Sequence, residues 1–209
     1  MGHTYSRFYA GESIDLCVPS ERAVLEDGWA DWLNDQETCK YLDHGVFPNH
    51  AENQIDFLEG LQKRERFALL ICAKDTGRAI GVISLSAIDF RKSSAQISLV
   101  VGKPLKGLAG GMAPLEAMAL VTRHGFEVMG LNRIWAGQVF PGLSAWNRLL
   151  EAIGYRTEGI LRDAFKRGHR RDNTAVISCL YDNYQAICVR RGALWPGAQA
   201  MRDLSLIHI

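Results

Sequence analysis

The stretch KPLKGLAGGMAPLEAM, Lys103–Met118, sets Gly107, Gly110 and Gly111 directly ahead of an apolar, helix-periodic run. Glycines let the backbone make approaches that side chains forbid, so the amide N–H groups of such a loop can converge on one anionic ligand. Pro114 stands where a helix is expected to begin, because its fixed φ and missing N–H suit a first helical position. The free N–H groups and positive dipole end at that point favour a phosphate. A strand-to-helix turn that binds nothing is the competing reading, since neither GxxxxGKS/T nor GxGxxG is present.

The rest of the chain decides between them. A length of 209 residues with 47% hydrophobic content is enough for one sizeable core. The expectation is a single domain over residues 1–190 and an irregular tail over 191–209. Basic and acidic residues nearly cancel, 24 against 23, which gives no overall drive toward nucleic acid or an anionic membrane. Cys17, Cys39, Cys72, Cys179 and Cys188 include no CxxC pair and no Cys/His grouping with zinc spacing. They read as reduced core thiols of a cytoplasmic protein, with no metal. The opening MGHTYSRFYAGESIDL lacks the apolar core of a secretory signal, and no later run approaches membrane-spanning length. The last six residues, Leu204–Ile209, match the in-frame reading of a transposase sequencing adaptor, so a foreign tail on a truncated metagenomic frame is expected.

The elements that must hold the glycine stretch follow in order. SIDLCVP reads as an opening strand, and SERAVLEDGWADWLN as one helix capped by Ser20, with Leu25, Trp29 and Leu33 on one face. DHGVFPNH is loop, and AENQIDFLEGLQKRE a second amphipathic helix. RFALLICAKDTGRAIGVISLSAIDFRKSSAQISLVVG divides at DTG and RKSS into three strands. A helix over Leu115–Met129 follows, then the strand NRIWAGQVF, a helix in LSAWNRLLEAIGY ending at Gly154, and a hairpin around RGHRRD. This order implies an α/β chain with a mostly antiparallel sheet and one crossover helix.

Three stretches, the glycine loop after AQISLVVG, HGFEVMGLNRIWAG, and RLLEAIGYRTEGILRDAFKRGHRRDNTAVISCL, together resemble the GNAT acetyltransferase superfamily, from about Ser13 to Tyr184. The last stretch and WADWLNDQETCKYLDHGVFPN are similar to members that modify protein α-amines, polyamines or nucleotide-linked amino sugars. The resemblance implies a three-layer α+β fold with a mostly antiparallel twisted sheet, a splayed central strand pair and flanking helices. It implies acetyl-CoA as co-substrate and no metal. The backbone of Val100 and Val101 would pair with the pantetheine arm. Lys106, Gly107, Leu108, Ala109, Gly110, Gly111, Met112 and Ala113 would turn amides toward the pyrophosphate, and Trp146 would line the cofactor cleft. Two loop registers compete: Lys106–Gly111 keeps a basic first residue, whereas Leu108–Ala113 keeps Gly111 and Ala113 in the small positions. Leu143 replaces an Asn that often supports the cofactor, Leu150 a Tyr that can protonate the thiolate, and Gln96 a strand Glu. A glutamine cannot act as a base.

N-acetylation needs a neutral amine to attack the thioester and a donor for the oxyanion. An amine with pKa of about 10.4 is neutral in only about one molecule in a few thousand at pH 7, equivalent to roughly 4–5 kcal/mol. A base or water relay must offset that. The candidates are Ser98, Asp35 and His44, with Asp89 behind them. Each also has a structural reading: turn residue for Asp35 and Asp89, loop cap for His44, strand alternation for Ser98. A strand N–H near Val100 would hold the oxyanion. His124 reads as packing, and the tip KRGHRRD as a solvated basic turn that could meet an acidic substrate. The first reading is transfer to a small primary amine, with a nucleotide-linked amino sugar ahead of a polyamine. A protein α-amine and a non-catalytic CoA-binding module are the alternatives. Nucleic acid and membrane are not expected partners, and a homodimer is left open.

Overall fold

The computed structural model describes residues 4–62, 66–102 and 107–207. Eight strands form one sheet in the order β1-β2-β3-β4-β5-β6-β8-β7. They are β1 (Arg7–Ala10), β2 (Ile14–Cys17), β3 (Phe67–Ala73), β4 (Ala79–Asp89), β5 (Ser94–Val101), β6 (Arg133–Phe140), β7 (Arg156–Arg167) and β8 (Arg170–Leu180). The helices are α1 (Glu21–Leu25), α2 (Trp29–Trp32), α3 (Ala51–Gln62), α4 (Gly107–Glu127), α5 (Ser144–Glu151), α6 (Tyr181–Arg191) and α7 (Ala198–Ile207). Antiparallel ladders join β1 to β2, β2 to β3, β3 to β4, β6 to β8 and β7 to β8. The ladder between β5 and β6 is parallel, Ser94↔Arg133, Ala95↔Ile134, Gln96↔Trp135. A parallel pair needs a crossover, and α4 is the helix that makes it.

The chain forms two compact units, residues 1–86 with 98–118, and residues 87–97 with 119–209. In the first, Trp29, Trp32, Leu58, Leu70, Cys72 and Val82 bury together, and Phe57 meets Trp29 edge-on at 5.8 Å between ring centroids. Asp27 is buried there and accepts hydrogen bonds from Tyr5 Oη at 2.7 Å, Arg78 Nε at 2.6 Å and the Ala79 amide at 2.7 Å. In the second, Phe126, Ile134, Leu150, Ile153, Tyr155 and Ile177 are buried.

Several expectations are overturned. SERAVLEDGWADWLN is two short helices, because Gly28 turns to φ +79 between them; Ser20 makes no side-chain cap bond and Leu25 is left exposed. β1 and α6 were not anticipated, and α5 ends at Glu151, ahead of Gly154 at φ +93.

The main correction concerns the glycine stretch. Gly107–Ala113 is helix rather than loop, and Pro114 lies inside α4 rather than at its first position. Glycine costs a helix interior about 1 kcal/mol and proline about 3 kcal/mol relative to alanine, so propensity argues against this segment. Burial of Ala113, Leu115, Ala117 and Met118 along the same helix outweighs it. The tail is also not irregular. Gly192 at φ +82 ends α6, and α7 follows Gly197, with Leu194, Ala198 and Met201 buried.

Candidate active site

β5 carries the residues expected along a pantetheine arm. Ser98 is exposed, and Val100 and Val101 are half-buried. Gly81 of β4 lets the β5 main chain come close, since a Cβ there would lie 2.5 Å from the Val100 carbonyl oxygen. The Gly102 amide donates to the Ile80 carbonyl at 2.9 Å, and any side chain at Gly102 would run into the Trp32 indole. Trp32 is thus seated on the end of β5, with its Nε1–H buried and without an acceptor among the described residues.

Beyond Gly102, Lys106 lies outside the described residues. Gly107, Leu108, Ala109 and Gly110 form the start of α4, where the first four amide N–H groups of an α-helix have no intrahelical acceptor and the dipole is positive. Gly111 is exposed, Met112 half-buried and Ala113 buried. A Cβ at Gly111 would meet nothing within 4 Å. This glycine therefore answers no demand of the described fold.

The proposed bases fall in different settings. Asp35 accepts the Thr38 amide at 2.7 Å, and its hydrogen bonds to Thr38 hold the carboxyl below the usual range, which weakens it as a base. Asp89 does the same with the amides of Lys92, at 3.0 Å, and Arg91, at 2.9 Å, and is also held low. His44 is exposed and lines a cavity of about 210 Å³ with Leu33, Asp43, Phe47, Asn49 and Asn53. Asn34 and Asn49 pin that loop by exchanging two hydrogen bonds, 2.7 Å and 2.8 Å.

In the second unit, Trp146 is half-buried on α5, and Leu143 precedes its first turn. Leu150 is fully buried among the core residues, so that position offers no proton. Nearby in sequence, Tyr155 is also buried and its hydroxyl lies 2.8 Å from Thr122 Oγ1; burial drives its pKa well up. His124 is buried, and that burial, with the Arg123 charge, lowers its pKa. At the β7–β8 turn, Lys166, His169, Arg170 and Arg171 are exposed, with Arg170 paired to Asp172 at 2.7 Å. Among the described residues no three or more His, Cys, Asp or Glu side chains are grouped to hold a metal, and no helix is long and apolar enough to cross a membrane. Sequence reasoning missed the Trp32–Gly102 contact and the buried Glu116; only the glycine itself, closing the strand, pointed toward the first.

Residues 21–156 match the acetyltransferase (GNAT) domain family. The chain belongs to that family and is an acetyl-CoA-dependent N-acetyltransferase. It is 28% identical over 160 residues to an uncharacterized N-acetyltransferase, p20, of Bacillus licheniformis, covering 73% of this chain and 85% of that one. Its fold is similar to that of spermidine N-acetyltransferase from Vibrio cholerae, solved with CoA and spermine: TM-score 0.69, 15% identity, 83% of this chain and 98% of the other. It is also similar to the microcin C7 self-immunity acetyltransferase MccE, solved with acetyl-CoA and AMP: TM-score 0.64, 19% identity, 81% of this chain and 93% of the other.

Proposed function

We propose that this enzyme moves an acetyl group from acetyl-CoA to the primary amine of a small molecule, a nucleotide-linked amino sugar ahead of a polyamine. The observation that carries the coenzyme part is Gly111. A glycine inside a helix, exposed and with open space where its Cβ would be, lowers stability without serving packing. A ligand brought against the backbone gives it a purpose. The residues present fit a diphosphate: amides of Gly107–Gly110 at the helix start would hold it, and the main chain of Val100 and Val101 would pair with the pantetheine. Trp146 is proposed to flank the coenzyme, and Met112 and Ala113 to back the binding amides from within α4.

For the acceptor, the exposed cations Lys166 and Arg171 suit a phosphate-bearing molecule and repel a polyamine. A sugar amine also has a lower pKa than an alkyl amine, so it needs less help to become neutral where Leu150 and Gln96 offer no acid or base. Ser98, exposed on β5 and two residues ahead of Val100, is the group placed on a rigid strand to relay the amine proton; Asp35 and His44 are left to shape the acceptor side. A neighbour solved with AMP is consistent with a nucleotide-bearing acceptor.

The test is thiol release from acetyl-CoA across a panel of amines. Nucleotide-linked amino sugars should exceed spermidine in kcat/KM by about tenfold or more; equal or better turnover of spermidine would reverse the acceptor assignment. Ser98→Ala should lower kcat about tenfold near neutral pH, with the deficit shrinking as pH rises and the amine deprotonates unaided. A deficit independent of pH would remove Ser98 from the relay. Coenzyme binding without turnover of any amine would favour the non-catalytic module.

A further inference from the structure

Glu116 has no part in acetyl transfer as described above, yet it is fully buried in α4. Its carboxylate accepts the backbone amides of Glu12 and of Ser13, the latter at 3.0 Å, and the Ser13 hydroxyl joins them. The turn between β1 and β2 is shaped to receive it. Any side chain at Gly11 would run into Glu116 Oε1 and would sit 2.5 Å from the Ile14 carbonyl oxygen. All of these groups belong to the first compact unit.

The place of this contact along α4 gives it meaning. Pro114 has no N–H to offer the Gly110 carbonyl, and the turns ahead of it hold Gly107, Gly110 and Gly111. The front of the helix is therefore the part least able to hold its own direction. Glu116 follows Pro114 by two residues and fastens this front part of the helix by charge-assisted hydrogen bonds to another element, as Glu127, accepting from Tyr184, does at the far end. Burial of the ion is unfavourable on its own, so a carboxylate kept here points to a need for a fixed orientation rather than for stability.

We propose that Glu116 is a positioning residue for the coenzyme-binding start of α4. Its carboxylate, gripped by the Gly11–Ser13 turn, fixes the direction in which the Gly107–Gly110 amides face. This rests on the coenzyme reading given above, and it predicts an effect on coenzyme affinity with little effect on the chemical step.

The test uses the full chain with Glu116→Gln, which keeps the size but sets an NH2 group against an amide donor. The KM for acetyl-CoA and the calorimetric Kd for CoA should each rise about tenfold, while kcat at saturation stays within about twofold. Ser13→Ala, which removes one of the three donors, should raise both about threefold and keeps the test open should the first variant not fold. Ile187→Val, a small core deletion in the second unit, serves as the control: it should lower Tm and leave KM unchanged. Unaltered KM and Kd in either folded Glu116→Gln or Ser13→Ala, whatever happens to Tm, would overturn the proposal. Wild-type protein that gives no heat with CoA would remove the coenzyme reading itself, and is distinguished by needing no variant.

Discussion

Two glycines of α4 stand in the same helix for opposite reasons. A Cβ at Gly125 would lie 2.6 Å from Cδ1 of the fully buried Ile134, whereas a Cβ at Gly111 would touch nothing. The first is required by packing, and its removal is felt by the fold. The second is a loss to the isolated protein that only a ligand could offset. The same helix thus changes purpose along its length, from the exposed Gly111 near its front to a rear where Leu115, Met118, Val121 and Phe126 are buried.

The sharpest contrast with Gly111 comes from a residue held wholly by the fold. Asp27→Asn leaves Tyr5, Arg78 and the Ala79 amide facing a neutral group, and should cost about 1.5–3 kcal/mol in denaturant unfolding with no change in coenzyme Kd for the folded fraction. Burial pushes the Asp27 carboxyl up, but the hydrogen bonds from Tyr5, Ala79 and Arg78 hold it below the usual range. Because its folded pKa is depressed, the stabilisation is present above the unfolded value of about 3.9 and is lost as pH falls through the folded value. Wild-type stability should therefore decline with acid in that window more steeply than that of Asp27→Asn; parallel curves would remove Asp27 from the acid response.

Gly125→Ala should lower stability by about 1–3 kcal/mol through overpacking against Ile134, again with Kd unchanged. If Ile134 shifts its terminal methyl at no cost, the variant would be neutral and the comparison would weaken. Gly111→Ala should do the reverse. A gain of about 0.5–1 kcal/mol from helix propensity, or roughly 1–4 °C in Tm, should accompany a coenzyme Kd raised about tenfold. A Gly111→Ala protein that is more stable and binds CoA as well as before would leave the glycine unexplained and break the contrast.

The order of strands from β2 to β8, with α3, α4 and α5 between them, was readable because alternation, DTG, RKSS and RGHRRD are local signals. The crossover through α4 followed from that order. The start of α4 was not readable, because Gly107, Gly110, Gly111 and Pro114 all oppose a helix locally and only the burial of Ala113 and Leu115 forms one. α6 carries its own local signs: Asn183 Oδ1 accepts the Leu180 amide at 3.3 Å, Asp182 lies in the first turn, Arg190 and Arg191 in the last, and Gly192 closes it. Of the candidate site, the glycine-bearing region and the β5 strand are proposed from residue types and from the family resemblance. Trp32 against Gly102, and Glu116 in the grip of Gly11–Ser13, join residues more than fifty positions apart, and no spacing rule reaches that far.

The division of the chain has one last effect. Each compact unit is assembled from two separated stretches, 1–86 with 98–118 and 87–97 with 119–209, so the backbone passes from one to the other three times. No single cut in the gene yields either half intact, and a graft of one half from a relative would demand several splices in register. Variation in such a protein has to proceed by point changes and loop exchange rather than by shuffling of modules.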